Sequence, residues 1–154
     1  MRKGIQGDFS GKGRRFCVIV SRFNEFITEH MLDACCDTLE RHGAEKKNIK
    51  IVRVPGAMEI PTALKRVVAR RPPDAVICLG CIIRGGTPHF EHVASETSRG
   101  IAEIARASGV PVAMGVISAN TLEQALERAG TKMGNRGRDA AMVALEMANL
   151  LDRI

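Results

Sequence analysis

Short apolar runs alternating with helix-patterned stretches are the feature that most narrows what this chain can fold into. Phe16-Cys17-Val18-Ile19-Val20 is apolar throughout and rich in β-branched residues, the pattern of a strand buried on both faces of a parallel sheet. Ile49 to Val54, closed by Pro55-Gly56, Asp74 to Ile83 and Pro111 to Ile117 supply three further strands. Asn24 can cap a helix whose Ile27, Met31, Ala34, Cys35 and Thr38 share one stripe until Gly43 ends it. A second helix, from about Ala57 to Arg70, keeps Pro61 in its first turn, where the missing N–H costs little, and stops at Pro72-Pro73. A third runs from Pro88 to Gly109. Asn120 with Glu123 reads as a capping box for a short helix ending at Gly130, and a last helix turns Ala140, Ala144, Met147, Ala148 and Leu151 inward. Repeated βα units with right-handed crossovers predict an α/β fold, a three-layer αβα sandwich with a flavodoxin-like parallel sheet.

No linker, repeat or low-complexity segment divides the 154 residues, so a single domain over 1–154 is expected, with residues 1–12 as an N-terminal arm. The arm is too short for a βα unit and could add an edge strand to a neighbouring subunit. Met1-Arg2-Lys3-Gly4 leads into no signal-like apolar region and no run is long enough to span a bilayer, so the expected location is cytoplasmic, with no membrane partner. Five cysteines, two of them adjacent, do not form a disulfide framework. Cys78-Leu79-Gly80-Cys81 has CxxC spacing but ends a strand, where burial and packing are the simpler use. A net charge of +6 invites a nucleic-acid reading, yet the basic residues are scattered through Arg14-Arg15, Lys46-Lys47-Lys50, Arg70-Arg71 and Arg128-Lys132-Arg136. Without Trp or Tyr there is no aromatic stacking platform, and a surface that attracts small anionic substrates accounts for the charge as well.

In such a sheet ligands bind beyond the carboxyl ends of the strands. Four groups of residues fall there: Ser21-Arg22-Phe23-Asn24, Ala57-Met58-Glu59, Arg84 to His89, and Met114 to Ser118. Gly85, Gly86 and Thr87 stand where a strand turns into a helix, so unpaired N–H groups and the positive end of the helix dipole favour an anion, with His89 in the first turn beside it. The same residues also suit a tight glycine turn followed by a surface histidine. Phe23, between Arg22 and Asn24, fits a partly exposed ring that stacks on a planar ligand. Glu59 serves either hydroxyl recognition or the helix N-terminus. His89, His92 and Glu96 share a helical face, but no closed zinc site is expected, and neither a Walker A pattern nor GxGxxG is present. Glycines 130, 134 and 137 break the helix around Arg128, Lys132 and Arg136, which suits side chains reaching into another site.

Phe23-Asn24, Pro55 to Pro61, Leu79 to Phe90 and Glu127 to Gly137, four motifs in unbroken order, closely resemble the 6,7-dimethyl-8-ribityllumazine synthase family. That resemblance implies a transferase that condenses 5-amino-6-ribitylaminouracil with 3,4-dihydroxy-2-butanone 4-phosphate in riboflavin biosynthesis, with no cofactor and no metal. A non-catalytic lumazine- or riboflavin-binding protein of the same fold is the alternative. By resemblance, Phe23 would stack on the pyrimidine, Ala57 and Glu59 would hold the ribityl chain, and Cys81, Ile82 and Ile83 would line the ring edge. Gly86, Thr87 and Arg128 would bind the phosphate, and His89 would carry protons. The family's site is completed by the next subunit of a homopentamer, with Met114 and Arg128 on the neighbour's side and Lys132 and Arg136 as accessories. Gly130 to Asn135 matches the turn of members that close icosahedral shells of pentamers, and riboflavin synthase is a candidate partner. Met58 and Met114 stand where the family usually has an aromatic residue, and Arg136 where lysine is usual. Thioethers fill that space with flexible volume, so a working but less rigid pocket is expected.

Overall fold

A computed structural model describes residues 1–132 and 134–154. The strands are β1 (Phe16–Ser21), β2 (Ile49–Val54), β3 (Ala75–Ile83) and β4 (Val112–Ala119). The three pairings among these strands are parallel and the order is β2-β1-β3-β4, a Rossmann-like doubly wound sheet. The helices are α1 (Glu25–Arg41), α2 (Ile60–Ala69), α3 (His89–Ser108), α4 (Leu122–Arg128) and α5 (Arg136–Leu151), with one 3₁₀ turn at Lys46–Asn48 and another at Ala57–Glu59. Among the described residues no helix is long and apolar enough to cross a membrane.

Strand alternation sends side chains into two cores, one on each face of the sheet. Phe16, Val18 and Val20 of β1 pack with α1, α4 and α5, together with Ile77 and Leu79 of β3. Cys17 and Ile19 point the other way, against Ile60 and Leu64 of α2 and Ile101 of α3. The three-layer sandwich expected from the sequence is therefore the fold. Cys78 and Cys81 lie in different cores, so the CxxC spacing places the two thiols on opposite faces of one strand. Burial pushes the Cys81 thiol up to about 11 and raises that of Cys78 as well.

Local chemistry sets the boundaries. Gly43, at φ 101°, ends α1: its N–H donates to the Glu40 carbonyl and that of Ala44 to Leu39, closing a Schellman motif. Asn24 occupies the N-cap of α1 but does not cap it. It sits at φ 61°, a left-handed conformation that Asn tolerates, and its Nδ2 donates to the Cys81 carbonyl at 2.9 Å. The cap of α4 is likewise displaced by one residue. Thr121 accepts from the Gln124 N–H at 3.1 Å while Gln124 Oε1 accepts from the Asn120 N–H at 3.0 Å, because β4 runs on to Ala119.

Two expectations about α5 need correction. Met147 is half-buried and Leu151 is exposed; Leu145 takes the core position on that turn. Gly137 lies inside the helix and breaks nothing. A β-carbon there would collide with the main-chain carbonyl of Met31, so this glycine lets α1 and α5 approach backbone to backbone.

Candidate active site

A cleft of about 360 Å³ opens beyond the carboxyl ends of β1 and β3. Its walls come from three loops. The β1–α1 loop presents Phe23, which is 72% exposed. That loop is fixed by main-chain bonds from Arg22 to Val54 (2.8 Å) and from Phe23 to Pro55 (3.0 Å), and by the Asn24 bond to Cys81. The loop after β2 supplies Ala57, Met58 and Glu59. Ala57 is buried, whereas Met58 and Glu59 are exposed; Thr97 of α3 holds the Met58 sulfur at 4.0 Å. Glu59 is the N-cap residue of α2 and its side chain makes no capping bond, while its charge at the start of that helix still suits the positive end of the dipole, so both readings of it stand.

The third wall is the end of β3, Cys81, Ile82 and Ile83, followed by the Arg84–Pro88 loop and the first turn of α3. Thr87 and His89 line the cleft and are exposed. Pro88 is the N-cap of α3 and makes no side-chain capping bond, and this 20-residue helix opens beside Thr87 with the positive end of its dipole. Gly85 lines the cleft and Gly86 stands just outside it; a β-carbon on either would meet nothing within 4 Å. The loop is held from behind by Arg84, whose Nε donates to Asn120 Oδ1 at 2.9 Å. Its guanidinium pairs with Glu91 and lies 4.6 Å over the Phe90 ring. The Arg84 guanidinium, in turn, keeps the Glu91 carboxyl below its ordinary range.

The cleft thus gathers Phe23, Ala57, Met58, Glu59, Cys81, Ile82, Ile83, Thr87 and His89 as the sequence anticipated. It does not gather Met114 or Arg128. Met114 is mid-strand, paired in register with Cys78 and 41% exposed, on the β4 face whose Val112 and Val116 are partly buried against the second core. Arg128 is half-buried at the end of α4, and Lys132 and Arg136 are exposed beyond it. Met133, within the Gly130–Asn135 turn, lies outside the described residues. Asn135 ties the turn together: its Oδ1 caps α5 by accepting from the Gly137 and Arg138 N–H groups, and its Nδ2 donates to Ala129 at 2.8 Å.

Sequence reasoning missed Phe90 and Val93 in the cleft wall. The signal was present: Phe90, Val93, Thr97 and Ile101 form a stripe at helical spacing, and its first members overhang the strand ends. Among the described residues no group of three His, Cys, Asp or Glu side chains is placed to hold a metal ion.

An apolar, aromatic-walled cleft at the strand ends, with the Glu59 carboxylate on one side and the start of α3 with the His89 imidazole on the other, defines an α/β domain built for a small-molecule ligand. The family model described as 6,7-dimethyl-8-ribityllumazine synthase matches residues 13–152, and the chain belongs to that family. Its role accordingly lies in riboflavin biosynthesis, in a family of transferases. Among solved structures, a de novo designed Rossmann-fold protein is similar at 16% identity and a TM-score of 0.41, over 72% of this chain and 90% of that one.

Proposed function

We propose that the chain condenses 5-amino-6-ribitylaminouracil with 3,4-dihydroxy-2-butanone 4-phosphate to 6,7-dimethyl-8-ribityllumazine, releasing phosphate and water. The observation that carries this reading is the convergence of Phe23, Glu59, Thr87 and His89 on one cleft in a chain of this family. Phe23 stacks on the pyrimidine, whose edge runs along Cys81, Ile82 and Ile83. Glu59 and the main chain at Ala57 take the ribityl hydroxyls. The phosphate lies over Gly86, Thr87 and the main chain that opens α3, with Arg128 of a neighbouring copy as counter-charge.

The substrate's own amine attacks the ketone, so no enzyme nucleophile is required and Lys132 need not form a Schiff base. His89 gives a proton to the departing hydroxyl and takes one from carbon, work that suits an imidazole, whose two ring nitrogens can donate and accept. Donors around the phosphate stabilise it as it leaves. Holding two reactants together supplies much of the acceleration, up to roughly 7–11 kcal/mol in favourable systems.

The site is shared in a homopentamer. Support comes from Met114 and Arg128, which stand outside their own chain's cleft, where residues that serve a neighbour belong. The arm supports it too. Asn149 Nδ2 binds the Asp8 and Ser10 carbonyls at 3.0 and 2.9 Å, holding the arm along α5, while Ile5 and Phe9 remain exposed for another copy. Residues 1–154 act as one domain on this reading.

Mixing the two substrates with the protein and following lumazine absorbance tests the reaction; the absence of Trp and Tyr keeps the protein background low. Product should form far above the uncatalysed rate. No acceleration from a folded preparation that still binds lumazine would leave a binding protein of the same fold instead.

A further inference from the structure

The cations that look scattered in the sequence converge at the amino end of the sheet, opposite the candidate active site. Arg15 precedes β1, Lys47 lies in the 3₁₀ turn before β2, and Lys50 is the second residue of β2. Arg66, Arg70 and Arg71 come from the end of α2. All six line one groove of about 750 Å³, twice the size of the active-site cleft, and no carboxylate lines it.

Most of this charge is uncompensated. Among the described residues Lys47 has a carboxylate within reach, Glu45 at 3.0 Å, and the other five have none. Asp74 at the rim is engaged by Arg14 at 3.7 Å and by the Arg15 main-chain N–H at 2.7 Å. The carboxyl end of α2 offers about half a negative charge, against three arginines. An excess of roughly four positive charges therefore surrounds the groove. The groove is also held in shape against that repulsion. Arg71 takes a left-handed conformation, φ 45°, and its carbonyl accepts from Arg15 Nη2 at 3.3 Å, tying α2 to the start of β1.

We infer that this groove binds a multiply phosphorylated anion, recognised through its phosphates. Four guanidinium groups offer the forked donors that match phosphate oxygens, and the volume far exceeds one phosphate. A nucleoside or single-stranded nucleic acid fits less well, because its bases need an aromatic surface to stack on. The one ring in the lining, Phe16, is 1% exposed and belongs to the core. The ligand is thus a compact chain of phosphates, and binding relieves repulsion that the free groove carries.

Sodium tripolyphosphate is the probe. Titrated calorimetrically into the full chain at about 50 mM salt it should bind saturably, and weaken at least tenfold at about 300 mM, as screening of several charge pairs at once implies. The variant Arg66→Gln/Arg70→Gln/Arg71→Gly, whose glycine suits the left-handed position, should lose at least tenfold in affinity. Lys47→Gln/Lys50→Gln attacks the groove from the β2 side and should lose affinity too, keeping the test decisive if the first variant does not fold. Arg99→Gln, exposed on α3 and lining neither the groove nor the cleft, should bind as the parent does. Absence of binding at low salt overturns the inference, as does affinity kept in both groove variants. Duplex DNA that displaces tripolyphosphate at matched phosphate concentration overturns it in favour of a nucleic-acid surface. Lumazine formation by the groove variants should equal that of the parent, so the two readings fail separately.

Discussion

At the scale of single residues, position in the fold decides what a side chain can do. His89 stands at the first position of α3 and lines the cleft beside Thr87, exposed and outside either core. His89→Ala should slow lumazine formation roughly ten- to a thousand-fold and leave the circular dichroism spectrum unchanged, since general acid–base help is lost while orientation is kept. An unaltered rate would remove the proton-carrier role. Gly137 makes the opposite case, a residue whose missing side chain matters. In an exposed helix interior, Gly→Ala gains about 1 kcal/mol from propensity. Here the new carbon meets the Met31 carbonyl, which is backbone and cannot swing aside, and overpacking of that kind costs about 1–3 kcal/mol or more. Gly137→Ala should lower the melting temperature by several degrees; an increase would mean that α1 and α5 can separate freely. From the sequence this glycine reads as a helix breaker because composition records flexibility and not proximity.

At the scale of elements, all four strands and the main helices were legible because buried strands and amphipathic helices leave unmistakable periods. Caps were less so. Asn120-Thr121-Leu122-Glu123-Gln124 holds two overlapping capping frames, Asn120 with Glu123 and Thr121 with Gln124. The choice is made by the length of β4: pairing of Ile83 with Ala119 carries the strand two residues past its expected end, and Asn120 is drawn off to Arg84. Thr121→Ala should therefore cost about 0.5–2 kcal/mol in chemical denaturation. Glu123→Ala should stay within about 0.5 kcal/mol, the usual range for a surface change with no special contact. Equal losses would show that both frames contribute to α4. The Asn24 bond to Cys81 belongs to the same class: the residue type was readable, but its partner lies 57 positions away and only the fold brings them together.

At the scale of the whole molecule, one end of the sheet carries the cleft and the other the basic groove, and on the proposed reading a second chain completes the cleft. Arg128 does not line its own chain's cleft, so on the proposed reading its contribution to phosphate binding crosses a subunit boundary. If it does, Arg128→Ala should weaken the phosphorylated substrate by about 1.5–3 kcal/mol, the range for a hydrogen bond to a charged group, and affect the pyrimidine much less. Mixed assemblies give the sharper test. Chains carrying Arg128→Ala and chains carrying His89→Ala are each defective in a different half of the site, so a pentamer containing both should regain activity at boundaries where one supplies the histidine and the other the arginine. Analytical ultracentrifugation first establishes that pentamers form and whether they associate further into a shell through the Gly130–Asn135 turn. Equal weakening of both substrates would remove Arg128 from the phosphate, and verified mixed pentamers without rescue would confine the site to one chain.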